Sequence, residues 1–93
     1  YCYIPDVSGS GLIESPRKAR EIWQLEFDAL RRVGGCWVLT NHPFLSGRPS
    51  RAAELDDLMR YVLDHTDVWT TSLGEIAEHV RAQGLPPRTI PPL

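Results

Sequence analysis

Apolar residues recur at helical spacing in the first half of the chain. Ala19, Trp23, Phe27 and Leu30 fall three or four positions apart, and Ile22 and Val33 widen the same face. Ser15 before Pro16 predicts the helix start: serine can accept from an end N–H, and proline at the first position lacks an N–H that would go unsatisfied there. Gly34-Gly35 predicts its end, because glycine tolerates the left-handed conformation that closes a helix. The pattern then changes. Cys36-Trp37-Val38-Leu39-Thr40 is short, apolar and rich in β-formers, without polar alternation, which predicts a strand covered on both faces. Pro43 disfavours helical backbone at the residue before it, so the strand should end near Asn41-His42.

Residues 43–49 read as a loop. Ser50 is then expected to cap a second helix, in which Leu55, Leu58, Met59, Val62 and Leu63 form one stripe and Asp56 and Arg60 pair on the exposed side. Its end is expected near His65-Thr66. Asp67-Val68-Trp69-Thr70-Thr71 is a second short strand candidate. Ser72 and Glu75 have capping-box spacing, and a third helix through Ile76, Ala77 and Val80 should stop at Gly84. The tail, residues 86–93, contains four prolines and cannot continue a helix or join a ladder. Residues 1–15 look irregular, with Gly9, Ser10 and Gly11 as punctuation.

Helices alternating with short apolar strands predict an α/β fold built from βα units around a parallel sheet. Two such strands cannot bury themselves and need neighbours on their open edges. The chain is therefore expected to be incomplete, and an opening Tyr1 in place of Met agrees. Residues 1–85 are assigned to one partial domain and 86–93 to an extended tail.

Composition narrows the function. The 93 residues are 42% hydrophobic and 24% charged with net charge -2, ordinary values for a small globular chain with a thin core. Basic residues are scattered, which argues against a nucleic-acid surface. No apolar run approaches the roughly 18 residues of a membrane span, and no signal peptide is visible. The two cysteines, Cys2 and Cys36, make no disulfide framework or zinc spacing, and Cys36 reads as a buried thiol. A reducing, cytoplasmic setting is the expectation.

His42 is the main chemical candidate. It stands at the C-terminal end of an expected buried strand, where the active sites of parallel α/β folds gather, and imidazole exchanges protons near neutral pH. The plainer alternative is a strand-end histidine bonded to a carbonyl. Arg48 and Arg51 flank a helix start and could hold an anion, or could simply anchor the loop. Trp69 is expected in the wall of the core, or at the cleft if its strand ends there. His65 and His79 read as surface histidines. No grouping of histidines and carboxylates has metal-ligand spacing.

Taken in order, Gly11-Leu12-Ile13-Glu14-Ser15-Pro16, Ile22-Trp23, Glu26 to Leu30, Gly34-Gly35, Leu39-Thr40-Asn41-His42-Pro43, Ser46 to Arg51, Asp67-Val68-Trp69 and Glu75-Ile76-Ala77 form a series. It resembles the C-terminal end of the polysaccharide deacetylases, the NodB-homology or carbohydrate esterase family 4 group, in its peptidoglycan deacetylase-like or allantoinase-like branch. The resemblance covers roughly residues 11–82. It implies the last βα units of a distorted (β/α) barrel and a metal-dependent hydrolase that removes N-acetyl groups from amino-sugar polymers. An allantoinase-like hydrolase of a small cyclic amide, or a non-catalytic binding module, is the alternative. It implies a divalent metal of zinc type and an aspartate base, both from motifs upstream of Tyr1, and a histidine that protonates the leaving amine. His42 matches that histidine, although two residues separate it from Leu39 where the family often has one. Arg48, Arg51 and Trp69 are the substrate-binding candidates, and no metal ligand is assigned within the chain. The partner is then an N-acetylated glycan or a small amide, with no nucleic acid or membrane, and a homo-oligomer is left open. The chain alone, without its water-activating centre, is expected to be inactive.

Overall fold

A computed structural model of the protein describes residues 15–92. The opening segment up to Glu14, for which the sequence predicts irregular structure, and Cys2 with it, lie outside the described residues. Among the described residues four helices follow in order: α1 (Pro16–Val33), α2 (Pro43–Ser46), α3 (Pro49–Leu63) and α4 (Leu73–Ala82). Helix α1 starts on the Ser15 carbonyl, which accepts from the N–H groups of Lys18 and Ala19; the serine side chain makes no capping bond. Gly34 stops the helix in the left-handed region at φ 72°, and the N–H of Gly35 closes back on the Leu30 carbonyl at 2.8 Å. This is the 6→1 bond of a Schellman ending. Helix α3 starts two residues earlier than expected. Arg48 occupies the cap position and Pro49 the first turn, so Ser50 lies inside the helix.

Helices α1 and α3 pack on each other through Phe27, Leu58 and Val62, and Trp23, Trp37, Leu39, Met59, Tyr61 and Val68 lie against that core. Phe27 is its aromatic hub, meeting Trp37 edge-on at 5.2 Å and His65 at 5.4 Å between ring centroids. On the polar side, Arg20 donates to Glu54 at 3.2 Å, and Arg17 lies 3.5 Å from the same carboxylate. The core is thin, as chain length predicts. Helix α4 contributes no buried residue.

The α/β architecture expected from the sequence is not what forms. Among the described residues there is no strand and no sheet, and the architecture is helical, not a set of barrel βα units. Residues 36–40 and 67–71 are connections whose backbone groups form no ladder with each other. A strand is defined by its partner, and β-rich composition does not supply one. The apolar content of these segments covers the helices instead. Trp37, Leu39 and Val68 face the Phe27 core, while Val38 is 56% exposed, so the first segment is covered on one side only. For the same reason Cys36 is exposed and not the buried thiol expected.

Candidate functional site

The corner between the first connection and α3 carries the candidate chemistry. His42 has φ -117° and ψ 129°, the extended geometry that Pro43 demands of its predecessor. Pro43 then opens the single turn α2, where the sequence pattern predicts a loop. The His42 carbonyl accepts from the N–H groups of Leu45 and Ser46, both at 2.9 Å, and Gly47 N–H donates to the Pro43 carbonyl at 2.9 Å. Gly47 is required sterically. Its φ of -79° suits any residue, but a Cβ there would lie 2.5 Å from the Pro43 carbonyl oxygen.

Two side chains tie the corner down. Ser46 is buried and donates to Asn41 Oδ1 at 2.8 Å across the histidine. Arg51 reaches back from α3 and donates through Nη1 to the Leu45 carbonyl at 2.8 Å. The imidazole of His42 is exposed and lies 5.5 Å from the Phe44 ring, tilted 33° to it. Arg48 is also exposed, at the start of α3.

A cleft of about 660 Å³ opens beside this corner. Trp37, Leu39 and Asn41 line it from the first connection, Val68 and Trp69 from the second, and Val80 from α4. Trp69 is 57% exposed and meets His79 edge-on at 5.5 Å. Trp69 and Asn41, the neighbour of His42, therefore share one cleft. His42 itself, Arg48 and Arg51 do not line it.

Arg31 Nε donates to both oxygens of Asp67, at 3.0 and 3.1 Å, fastening the second connection to the end of α1. That hydrogen bond holds the Asp67 carboxyl below its ordinary pKa. His65, read from the sequence as a surface histidine, is half-buried: its ring meets Phe27 and Tyr61, and Nδ1 bonds the Tyr61 carbonyl at 2.8 Å. The i,i+4 spacing from Tyr61 was the signal for it.

Over 100% of its length, this chain superposes on part of a solved structure from Mycobacterium smegmatis described as a "putative polysaccharide deacetylase", with TM-score 0.88 and 57% sequence identity. The chain is thus similar, along its whole length, to one segment of that protein. It spans 32% of that relative, about a third of its length. No protein-family profile and no curated protein matches the chain. The likeness to that structure agrees with the resemblance carried by the ordered series from Gly11 to Ala77. Among the described residues, no three His, Cys, Asp or Glu side chains are grouped to hold a metal ion, and no helix is long and apolar enough to cross a membrane.

Proposed function

We propose that this segment is part of a hydrolase that removes N-acetyl groups from amino-sugar polymers, with His42 as its general acid. The identity of 57% to the M. smegmatis protein along the whole chain is the observation that supports this reading. Amide hydrolysis ends when the C–N bond of the tetrahedral adduct breaks, and the amine leaves readily only if its nitrogen has gained a proton. The imidazolium of His42 would donate that proton from a ring nitrogen and become neutral. Its exposed ring stands on a corner fixed by backbone bonds, so it can meet a substrate without first moving the fold.

Trp69 is proposed to contact the apolar face of a sugar ring in the cleft, and Arg48, outside the cleft at the start of α3, to contact polar groups of another unit of the polymer. Arg51, which already gives one donor to Leu45, has further guanidinium donors for the same purpose. A divalent metal of zinc type, when bound, would polarise the carbonyl and activate water. The described residues do not fit a ligand set for it, so none of them is proposed as a ligand.

Acetate release from N-acetylglucosamine oligomers by the complete polypeptide containing this segment tests the reading. His42→Ala should lower turnover by about 10²–10⁴-fold, the range lost with a general acid, and leave metal content unchanged. Wild-type turnover in that variant would remove His42 from the mechanism. Cleavage of a small cyclic amide without any acetate release would replace the glycan substrate.

A further inference from the structure

We propose that Asn41 and Ser46 are positioning residues for His42, their side chains closing a hydrogen-bonded ring around it that Arg51 braces from α3. The inference rests on the reading of His42 as a general acid. The Ser46 side chain is buried within a corner whose neighbouring surface is exposed, and a hydroxyl held there needs a partner. It has one in Asn41 Oδ1, at 2.8 Å, on the residue immediately before the histidine.

His42 is fixed from both sides as a result. Asn41 is held by the Ser46 hydroxyl, and Pro43 is held by its own ring and by the Gly47 N–H at 2.9 Å. The carbonyl of His42 itself accepts two N–H groups. Arg51 then ties the far side of the turn, at the Leu45 carbonyl, to the longer helix α3. An exposed imidazole has few packed neighbours to orient it, so its direction is set by the backbone beneath. That backbone is what the ring constrains. A proton donor displaced by about 1 Å loses on the order of 10²-fold in rate, so the constraint should be visible in turnover.

Steady-state kinetics of acetate release, measured on the complete polypeptide well below its melting temperature, tests this. Ser46→Ala and Asn41→Ala should each lower kcat by about 10–100-fold with KM little changed. The double variant should be no slower than the singles, because both remove the same bond. Ser46→Thr, which keeps the hydroxyl, should retain most of the rate. The His42 ring-proton NMR signals, set partly by the Phe44 ring at 5.5 Å, should move in Ser46→Ala and stay in Ser46→Thr. If Ser46→Ala does not fold, the Asn41→Ala kinetics and NMR signals decide alone. Wild-type kcat and unmoved His42 signals in a folded variant would overturn the positioning role. If His42→Ala also keeps wild-type kcat, it is the general-acid reading that has failed; if His42→Ala is slow and the ring variants are not, only the positioning role has.

Discussion

The Tyr61 hydroxyl donates to Asp28 Oδ1 at 2.6 Å, joining α3 to α1 beside the Phe27 ring. The bond favours the neutral phenol, and together with burial and the Asp28 charge it raises the Tyr61 pKa above the ordinary value. A folded-state pKa above the unfolded one gives stability that is fully present below the ordinary phenol range. It is lost as pH rises through the folded pKa. Ultraviolet titration should show one phenol ionising later than the others, and Tyr61→Phe should remove that late step. The same variant should melt lower at neutral pH and lose part of the alkaline dependence of its melting temperature. An unchanged titration curve would mean the bond is absent in solution.

Gly47→Ala should destabilise the corner by about 1–3 kcal/mol, the usual cost of overpacking. The added Cβ would meet a backbone oxygen, which cannot rotate away as a side chain could. Gly34→Ala is the informative comparison. No atom lies within 4 Å of a Cβ at Gly34, but φ there is 72°, so the cost is conformational, about 1 kcal/mol. Chemical denaturation of both variants checks the pair. Only Gly47→Ala should also disturb the amide signals of Leu45 and Ser46, whose N–H groups bond His42.

The three long helices were legible because each is specified locally. The spacing of Ala19, Trp23, Phe27 and Leu30 forecasts α1, and Gly34 ends it where expected. Ser72 caps α4 by accepting from the Glu75 N–H at 3.2 Å, though the Glu75 carboxylate turns to the Thr71 hydroxyl. What failed was non-local. Whether Trp37-Val38-Leu39 becomes a strand depends on a partner that no local pattern encodes, and here its alternate residues cover helices instead. Helix α2 was missed because a single turn has no periodicity to detect. His42 and its extended backbone could be read from the following proline. The Asn41–Ser46 bond could not, since neither residue type marks a ring across five positions.

Leu58 is fully buried between α1 and α3, whereas Leu63, five residues on in the same helix, is 64% exposed. Leu58→Ala should cost about 2–5 kcal/mol, the loss of transferred surface plus the cavity left in a core too thin to refill it. Leu63→Ala should stay within about 0.5 kcal/mol, as surface changes do. Thermal melts of the two variants check the contrast. Equal losses would show that the α1–α3 packing does not set the stability of the fold.

Asp67 gives the acid side of the pH profile. Its bond from Arg31 Nε, the first cause, lowers its pKa, and the Arg31 and His65 charges act in the same direction against partial burial. A carboxylate with a depressed folded-state pKa contributes stability that is present above its ordinary value. That contribution fades as pH falls through the folded value. The melting temperature should therefore decline through the acid range, and Asp67→Asn should flatten the decline while lowering the melting temperature at neutral pH. Because both partners are largely exposed, added salt should weaken the effect. The variant has a second consequence that separates this pair from any other carboxylate. Asp67 begins the connection that carries Trp69 into the cleft, and Arg31 and Asp67 both line it. Releasing the clamp should change the emission of Trp69, isolated by comparison with Trp69→Phe, at the same pH at which stability falls. A melting curve that responds while Trp69 emission does not would place the acid-sensitive contact elsewhere.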